Sequence, residues 1–228
     1  MNIPNSKASG RRTDVPTAQD ETGGYPALWD WRRQVATLYA AVRAESDPER
    51  AWTEWCTKRD RLFRAHPQTP LEPIARNSFK GLPYYPYDAS LRFTVCLARI
   101  NESTLTSFDL GNDGVLRMHA FARTDGLMER LGRELTLFWL SGYGGGVFLP
   151  FGDTTNGSET YGAGRYLLDT IKSADLGSNA AGELILDFNF AYNPSCSYST
   201  RYVCPLAPPV NRLPEPVRAG EKAPNEVV

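Results

Sequence analysis

The sequence predicts a mainly β, α+β protein: an antiparallel meander forming a barrel or strongly curled sheet, preceded by two N-terminal helices. Three observations carry this expectation. The 228 residues hold 19 glycines and 17 prolines beside 11 tyrosines and 10 phenylalanines. Turn formers mixed with aromatics favour strands joined by tight connections over a helix bundle. The hydrophobic pattern changes after His66-Pro67 from helical steps to short apolar runs bounded by Gly, Asn, Asp or Ser. No long helical period separates those later runs, so the crossover helices of a parallel sheet have no place.

In chain order, residues 1–24 are polar and without hydrophobic period and read as a disordered tail. Residues 25–220 read as one domain, divided into a helical lead-in (25–66), a β core (82–192) and a Pro-rich strap (193–220). From Pro26, the residues Leu28, Trp31, Val35, Leu38, Tyr39 and Val42 recur at three- and four-residue steps and share a helix face. Ser46-Asp47-Pro48-Glu49 opens a second helix, with Ser46 as cap and Glu49 closing a capping box. Trp52, Trp55, Arg59, Leu62 and Phe63 line one side of it, either as a partner or ligand face or as a cover on one edge or mouth of the β core. Strands are expected at 90–100, 103–109, 114–123, 134–140, 146–152, 164–170 and 183–192, with Asn112-Asp113-Gly114 as a hairpin turn. Segment 82–87 adds at most an edge strand, because its prolines lack the ladder donor. The last residues, 221–228, look frayed.

Composition excludes several function classes. A net charge of −1 removes the argument for nucleic acid or an anionic membrane, both of which call for a basic surface. No apolar run approaches the roughly 20 residues of a membrane span, and Met1 to Gly24 lacks the apolar segment of a secretory signal. The expected location is cytoplasmic, with Cys56, Cys96, Cys196 and Cys204 mostly reduced. Oligomeric state is not legible.

The second half carries long motifs: Phe148-Leu149-Pro150-Phe151-Gly152-Asp153, Glu159 to Leu167, Leu186 to Cys196, and Cys204-Pro205-Leu206-Ala207-Pro208. These resemble the bacterial and archaeal domain of unknown function 1684, with weaker similarity extending over roughly residues 28–221. The resemblance implies a shared fold and a shared polar cluster, and no particular activity.

Strand alternation sorts the polar residues. In 184–192, Leu184, Leu186, Phe188, Phe190 and Tyr192 are expected on one face, with Asp187, Asn189 and, beyond the strand, Asn193 on the other. If the last three strands are neighbours, Asp153, Tyr161, Arg165, Asp187 and Asn189 converge. Arg165 then either anchors a ligand carboxylate or phosphate, or forms an internal ion pair with Asp153 or Asp187 that fixes the sheet register. Arg165 and Asp187 are expected to project into the same cavity.

The glycines of Gly142–Gly146 and of Gly162 and Gly164 read as an anion cradle or as tight turns. Cys196 and Cys204 read as a catalytic thiol activated by Arg165, as part of a zinc site lacking its other ligands, or as a loop-stapling pair close in space. Cys56 and Cys96 fall on apolar faces and are expected in the core. His66 and His119 offer no triad.

The expected function is a protein or enzyme handling a small anionic or polar metabolite. Its candidate ligand-binding residues are Asp153, Tyr161, Arg165, Asp187, Asn189 and Asn193, and its candidate catalytic groups are Asp187 and Cys196. No cofactor and no metal are expected. The alternative is a non-catalytic structural or protein-interaction domain.

Overall fold

The structure is a computed structural model that describes residues 23–101, 104–111 and 114–224. Helix α1 (Gly24–Ala44) buries Leu38, Tyr39 and Val42, while Leu28, Trp31 and Val35 on the same stripe stay half-buried. Only the C-terminal half of the stripe is packed down. Helix α2 (Pro48–Ala65) runs against it and buries Trp55, Leu62 and Phe63. Its cap is Asp47, not Ser46: Asp47 Oδ1 accepts from the backbone N–H of Glu49 (3.0 Å) and Arg50 (3.2 Å). Pro48 supplies the first helical position, which moves the cap one residue along. Two further helices, α3 (Pro73–Asn77) and α4 (Met128–Leu131), are about one turn each, too short to show a hydrophobic period.

Seven strands follow: β1 (Arg92–Arg99), β2 (Leu105–Asp109), β3 (Val115–Asp125), β4 (Thr136–Leu140), β5 (Gly146–Phe151), β6 (Arg165–Asp169) and β7 (Leu184–Asp187). They form one sheet of order β6-β5-β4-β3-β1-β7, with β2 paired to β3. All strand pairings among the described residues are antiparallel. Asn112 and Asp113 of the expected hairpin turn lie outside the described residues, as do residues 1–22. Gly24, grouped by composition with the tail, already starts α1.

The last strand is shorter than its sequence suggests. At Asp187 the extended backbone gives way to a 3-10 turn, Phe188–Phe190, whose first N–H groups need a partner; the Asp187 carboxylate accepts from Asn189 N at 3.0 Å. Alternation therefore stops at residue 187. Beyond the turn, Tyr192 pairs with Tyr166 of β6 through reciprocal backbone bonds of 2.9 and 3.1 Å. The chain leaving one end of the strand order thus meets the other end, and the sheet nearly closes into a barrel.

Both faces of the closing strands are buried, and neighbouring residues serve different cores. Leu137, Leu149, Leu167 and Leu186 join one core with Leu213, Val217 and Ala219 of the strap. Phe138, Phe148, Tyr166 and Phe190 join the other with Leu38, Tyr39, Val42 and Trp55 of the helices. The two-residue period of the strand places the helices and the strap on opposite sides of the sheet.

The strap is pinned by Asn211, whose side chain donates to Thr136 O and Pro150 O (2.8 Å each) and accepts from Thr136 N (2.7 Å). Residues 82–87 form no strand of the sheet. They pair instead with the chain's end: Tyr85 N donates to Gly220 O (3.0 Å) and Lys222 N to Pro83 O (2.8 Å). Residues 221–223 are therefore not frayed, and Glu221 is fully buried; residues 225–228 lie outside the described residues. Two proline-rich or polar segments that no sheet strand would accept satisfy each other's backbone groups.

Gly164, just before β6, has φ +94°, and a Cβ there would lie 2.5 Å from Phe151 O and 2.7 Å from the Ala207 side chain. Backbone cannot retreat as a side-chain tip can. Gly164→Ala is expected to cost at least about 1–3 kcal/mol from the φ strain alone, read as a fall in the urea midpoint. Unchanged stability would show that strand and strap are free to separate here.

No helix among the described residues is long and apolar enough to cross a membrane.

Candidate functional site

The motif residues form two separate clusters. Arg165 is fully buried and its Nη2 meets Asp153 Oδ2 at 2.9 Å. The same guanidinium donates to the backbone oxygens of Val217 (2.8 Å), Glu221 (3.1 Å) and Ala219. Asp153 also accepts from Thr155 N (2.8 Å) and Val217 N (3.3 Å). Burial pulls the Arg165 pKa down, and the adjacent carboxylate opposes that. Asp187 belongs elsewhere: its partners are Arg92 Nη1 at 3.0 Å and the Asn189 side chain at 2.8 Å. Asn189 in turn exchanges hydrogen bonds with the backbone of Asp88 (2.8 and 2.9 Å). Burial raises the Asp187 carboxyl, against its hydrogen bonds from Asn189 and Arg92.

Arg165 and Asp187 therefore do not meet in one cavity. The 3-10 turn after Asp187 redirects its neighbours, and Arg165 faces Asp153 and the strap. Its ion pair with Asp153 ties strand β6 to the chain's end. Arg165 also does not activate Cys196. Gly142–Gly146 is a turn between β4 and β5, closed by Gly145 N to Gly142 O at 3.2 Å, with space beside Gly145 filled by the Trp139 ring.

A cavity and an adjoining groove lie on the other face, one residue along β6. Tyr166 points to the helices, and there a cavity of about 80 Å³ is lined by Trp31, Val35 and Tyr39 of α1, Arg59 and Phe63 of α2, Tyr166, Lys172, Tyr192, Asn193, Tyr198 and Cys204. It shares Trp31, Val35, Pro70, Tyr166, Lys172, Ser195 and Cys204 with a groove of about 530 Å³. That groove is mostly apolar, walled by Leu28, Leu116, Leu140, Phe148 and Ile171, with Arg32 and Lys172 among its charged groups. The unpacked half of the α1 stripe is its wall.

Arg59 is the central charge. Its Nε donates to Glu221 Oε1 at 2.8 Å, and Nη2 reaches the same oxygen. Its guanidinium lies 5.0–5.1 Å from the ring centres of Trp55, Phe63 and Tyr192. Burial lowers the Arg59 pKa, but Glu221 together with the neighbouring Tyr84, Tyr198 and Tyr39 outweighs it and the net shift is upward, so the group stays a cation. The other Glu221 oxygen accepts from Asn193 N (2.7 Å) and Tyr198 OH (2.8 Å). Glu221 is thereby fully used, while Arg59 Nη1 and the Tyr192 hydroxyl make no hydrogen bond to the described residues. Asn193 Oδ1 is buried without a partner, since its amide nitrogen is spent on Lys222 O at 2.7 Å. Lys172 pairs with Asp169 at 2.9 Å.

Of the expected ligand residues, Asn193 lines this cavity. Sequence reasoning misses Tyr39, Tyr192 and Glu221 as site residues, and reaches Arg59 only as one member of the α2 stripe that reads as a ligand face or as a cover. An arginine four residues from both Trp55 and Phe63 on an otherwise apolar stripe is the available signal for Arg59, because a buried cation demands a partner. Glu221 gave no signal within a polar tail.

Tyr161 lies apart, its hydroxyl 3.7 Å from Cys196 Sγ. Cys196 and Cys204 are both half-buried free thiols. Cys96 is exposed and Cys56 half-buried, so neither is a full core residue; Cys96 faces outward on β1 beside Glu183.

Residues 77–222 match a family model described as "Protein of unknown function (DUF1684)". The match covers the sheet, the strap and Glu221, and starts after α2. Among solved structures, the chain is similar to the solution NMR structure of an uncharacterised protein from Haloarcula marismortui. The two are 31% identical over 75% of this chain and 91% of that one, with a TM-score of 0.51. No curated protein matches the chain. The sheet, the strap and the motifs within them thus place this chain in the DUF1684 family.

Proposed function

We propose that this protein binds a small anionic or polar metabolite, with its carboxylate held at Arg59 in the cavity between the two long helices and the closing edge of the sheet. The observation that carries this reading is a set of polar groups without partners that line one cavity. Arg59 Nη1 and the Tyr192 hydroxyl donate to no acceptor among the described residues, and Asn193 Oδ1 is a buried acceptor without a donor among them. A buried acceptor such as Asn193 Oδ1 is costly without a partner, and a carboxylate with a neighbouring hydroxyl or ammonium group would satisfy it together with Arg59 Nη1 and the Tyr192 hydroxyl. The adjoining apolar groove accommodates the rest of such a molecule. The site supplies binding groups, and the proposal stops short of assigning a reaction.

The motif residues Asp153, Arg165, Asp187 and Asn189 are paired among themselves or with backbone, which supports a framework role for them. A net charge of −1 supports a protein without nucleic-acid partners.

The test is a thermal-shift screen over mono- and dicarboxylates, hydroxy acids and amino acids, followed by calorimetry. A binder in one of these classes is expected. Arg59→Lys keeps the charge but loses the planar fork, and should weaken that binder roughly 10- to 100-fold, the ~1.5–3 kcal/mol of a hydrogen bond to a charged group. Tyr192→Phe should weaken it less, by roughly the ~0.5–1.5 kcal/mol of an ordinary hydrogen bond. No carboxylate binding, or equal affinity in a folded Arg59→Lys protein, would refute the proposal.

A further inference from the structure

Half of the apolar stripe of α1 is not packed down. Leu28, Trp31 and Val35 continue the spacing that buries Leu38, Tyr39 and Val42, yet they stay half-buried and wall the groove of about 530 Å³. The groove's floor is the helix side of the sheet, where Leu116 of β3, Leu140 of β4 and Phe148 of β5 share one face. Ile171, an exposed apolar residue, lies along the same groove. It comes close to the sheet because β5 begins with glycine: a Cβ at Gly146 would lie 2.7 Å from Ile171 Cγ1. The groove shares Trp31, Val35, Tyr166 and Lys172 with the Arg59 cavity, so the two are continuous. Beyond those shared residues the lining turns apolar, and its charges are few. Asp169 is paired with Lys172 at 2.9 Å, and Arg32 is an exposed residue of α1.

We propose that the groove holds the unbranched hydrocarbon tail of a monocarboxylate whose head group sits at Arg59, which makes the ligand an amphipathic acid. This inference rests on the carboxylate reading of the cavity given above, and it adds the class of molecule that carries the carboxylate. A polar cavity that runs into an apolar groove is a surface in two parts, and the two ends of an amphiphile match them in order. The guanidinium of Arg59 takes the charge. Leu28, Leu116, Leu140, Phe148 and Ile171 take the tail. Each methylene moved from water onto such walls is worth about 0.8 kcal/mol, or roughly fourfold in affinity. A dicarboxylate matches less well. Its second charge would be set against those apolar side chains, or would have to displace Asp169 from Lys172.

The experiment measures dissociation constants by calorimetry on the full chain, for the straight-chain acids from butanoate to dodecanoate and for the dicarboxylates of matching length, all below their micelle concentrations. Affinity should climb roughly fourfold per methylene along the monocarboxylates and level off where the tail outgrows the groove. Each dicarboxylate should bind more weakly than the monocarboxylate of its own length. Ile171→Gln and Leu116→Gln change residues that are not sealed in the core, and each should lower the decanoate-to-butanoate affinity ratio by roughly fourfold, the share of one methylene. Arg59→Lys should weaken the whole series alike and keep its slope. A flat series, a dicarboxylate that outbinds its monocarboxylate, or an unchanged ratio in both glutamine variants would overturn the tail assignment while butanoate binding upheld the carboxylate site. No binding by any member of the series would sink both readings. Decanoate binding that weakens as protein concentration rises would give the groove to a second copy of this chain, and so refute the tail assignment too.

Discussion

Replacing Arg165 with methionine should lower the stability of the protein by about 3–5 kcal/mol, the cost of breaking a buried ion pair from one side. Asp153 would keep its charge in a buried site and lose its ion-pair partner. The backbone oxygens of Val217, Ala219 and Glu221 would lose their shared donor at the same time. Methionine fills much of the volume, so the loss reads as electrostatic and hydrogen-bonding rather than as a cavity. The measurement is the midpoint of urea unfolding. Asp153→Asn alone should also destabilise, and the double variant should lose less than the sum of the two, since the second change removes the orphaned charge. A single-variant loss below ~1 kcal/mol would show that strap and strand hold together without this pair.

The scaffold was largely legible in the sequence, for reasons visible in particular elements. The three- and four-residue steps of α1 mark its packed stripe, and the apolar runs of β4 to β6 fill the two cores on either side of the sheet, so pattern and structure agree. The reading failed where a local side-chain bond overrode the pattern. Pro48 moved the α2 cap from Ser46 to Asp47. Asp187 ended β7 by capping a turn, although Phe188 to Tyr192 continue an alternation that looks like strand. The site was less legible than the fold. Arg165 stands in a conspicuous glycine-flanked motif and invites a functional reading, yet it is framework. Arg59 stands among tryptophans on a helix that reads as a cover, and it carries the cavity's charge. Neighbours in sequence such as Arg165 and Tyr166 lie on opposite faces, and which face holds a cavity depends on long-range packing of α1. The end of the chain was the largest miss, because a polar segment shows its partners only when the fold brings them.

That segment carries the other large expected effect. Ending the chain at Gly220 should destabilise the protein by at least the ~3–5 kcal/mol of an uncompensated buried charge, although it removes only residues that look dispensable by composition. Glu221 is fully buried and accepts from four groups: twice from Arg59, once from Asn193 N and once from Tyr198 OH. Without it, Arg59 is left among three aromatic rings with no counter-charge, and the backbone bonds from Glu221 N to Ala191 O (2.9 Å) and from Lys222 N to Pro83 O (2.8 Å) are gone. Glu221→Gln isolates the electrostatic part. It keeps the shape but turns one acceptor into a donor facing Asn193 N or Tyr198 OH, and it should be nearly as damaging as the truncation. Adding Arg59→Met to Glu221→Gln should restore part of the loss, since the buried charge then disappears from both sides. Differential scanning calorimetry of the three proteins distinguishes the cases. A chain ending at Gly220 that melts like the full-length protein would mean that residues 221–224 are held by the fold without holding it.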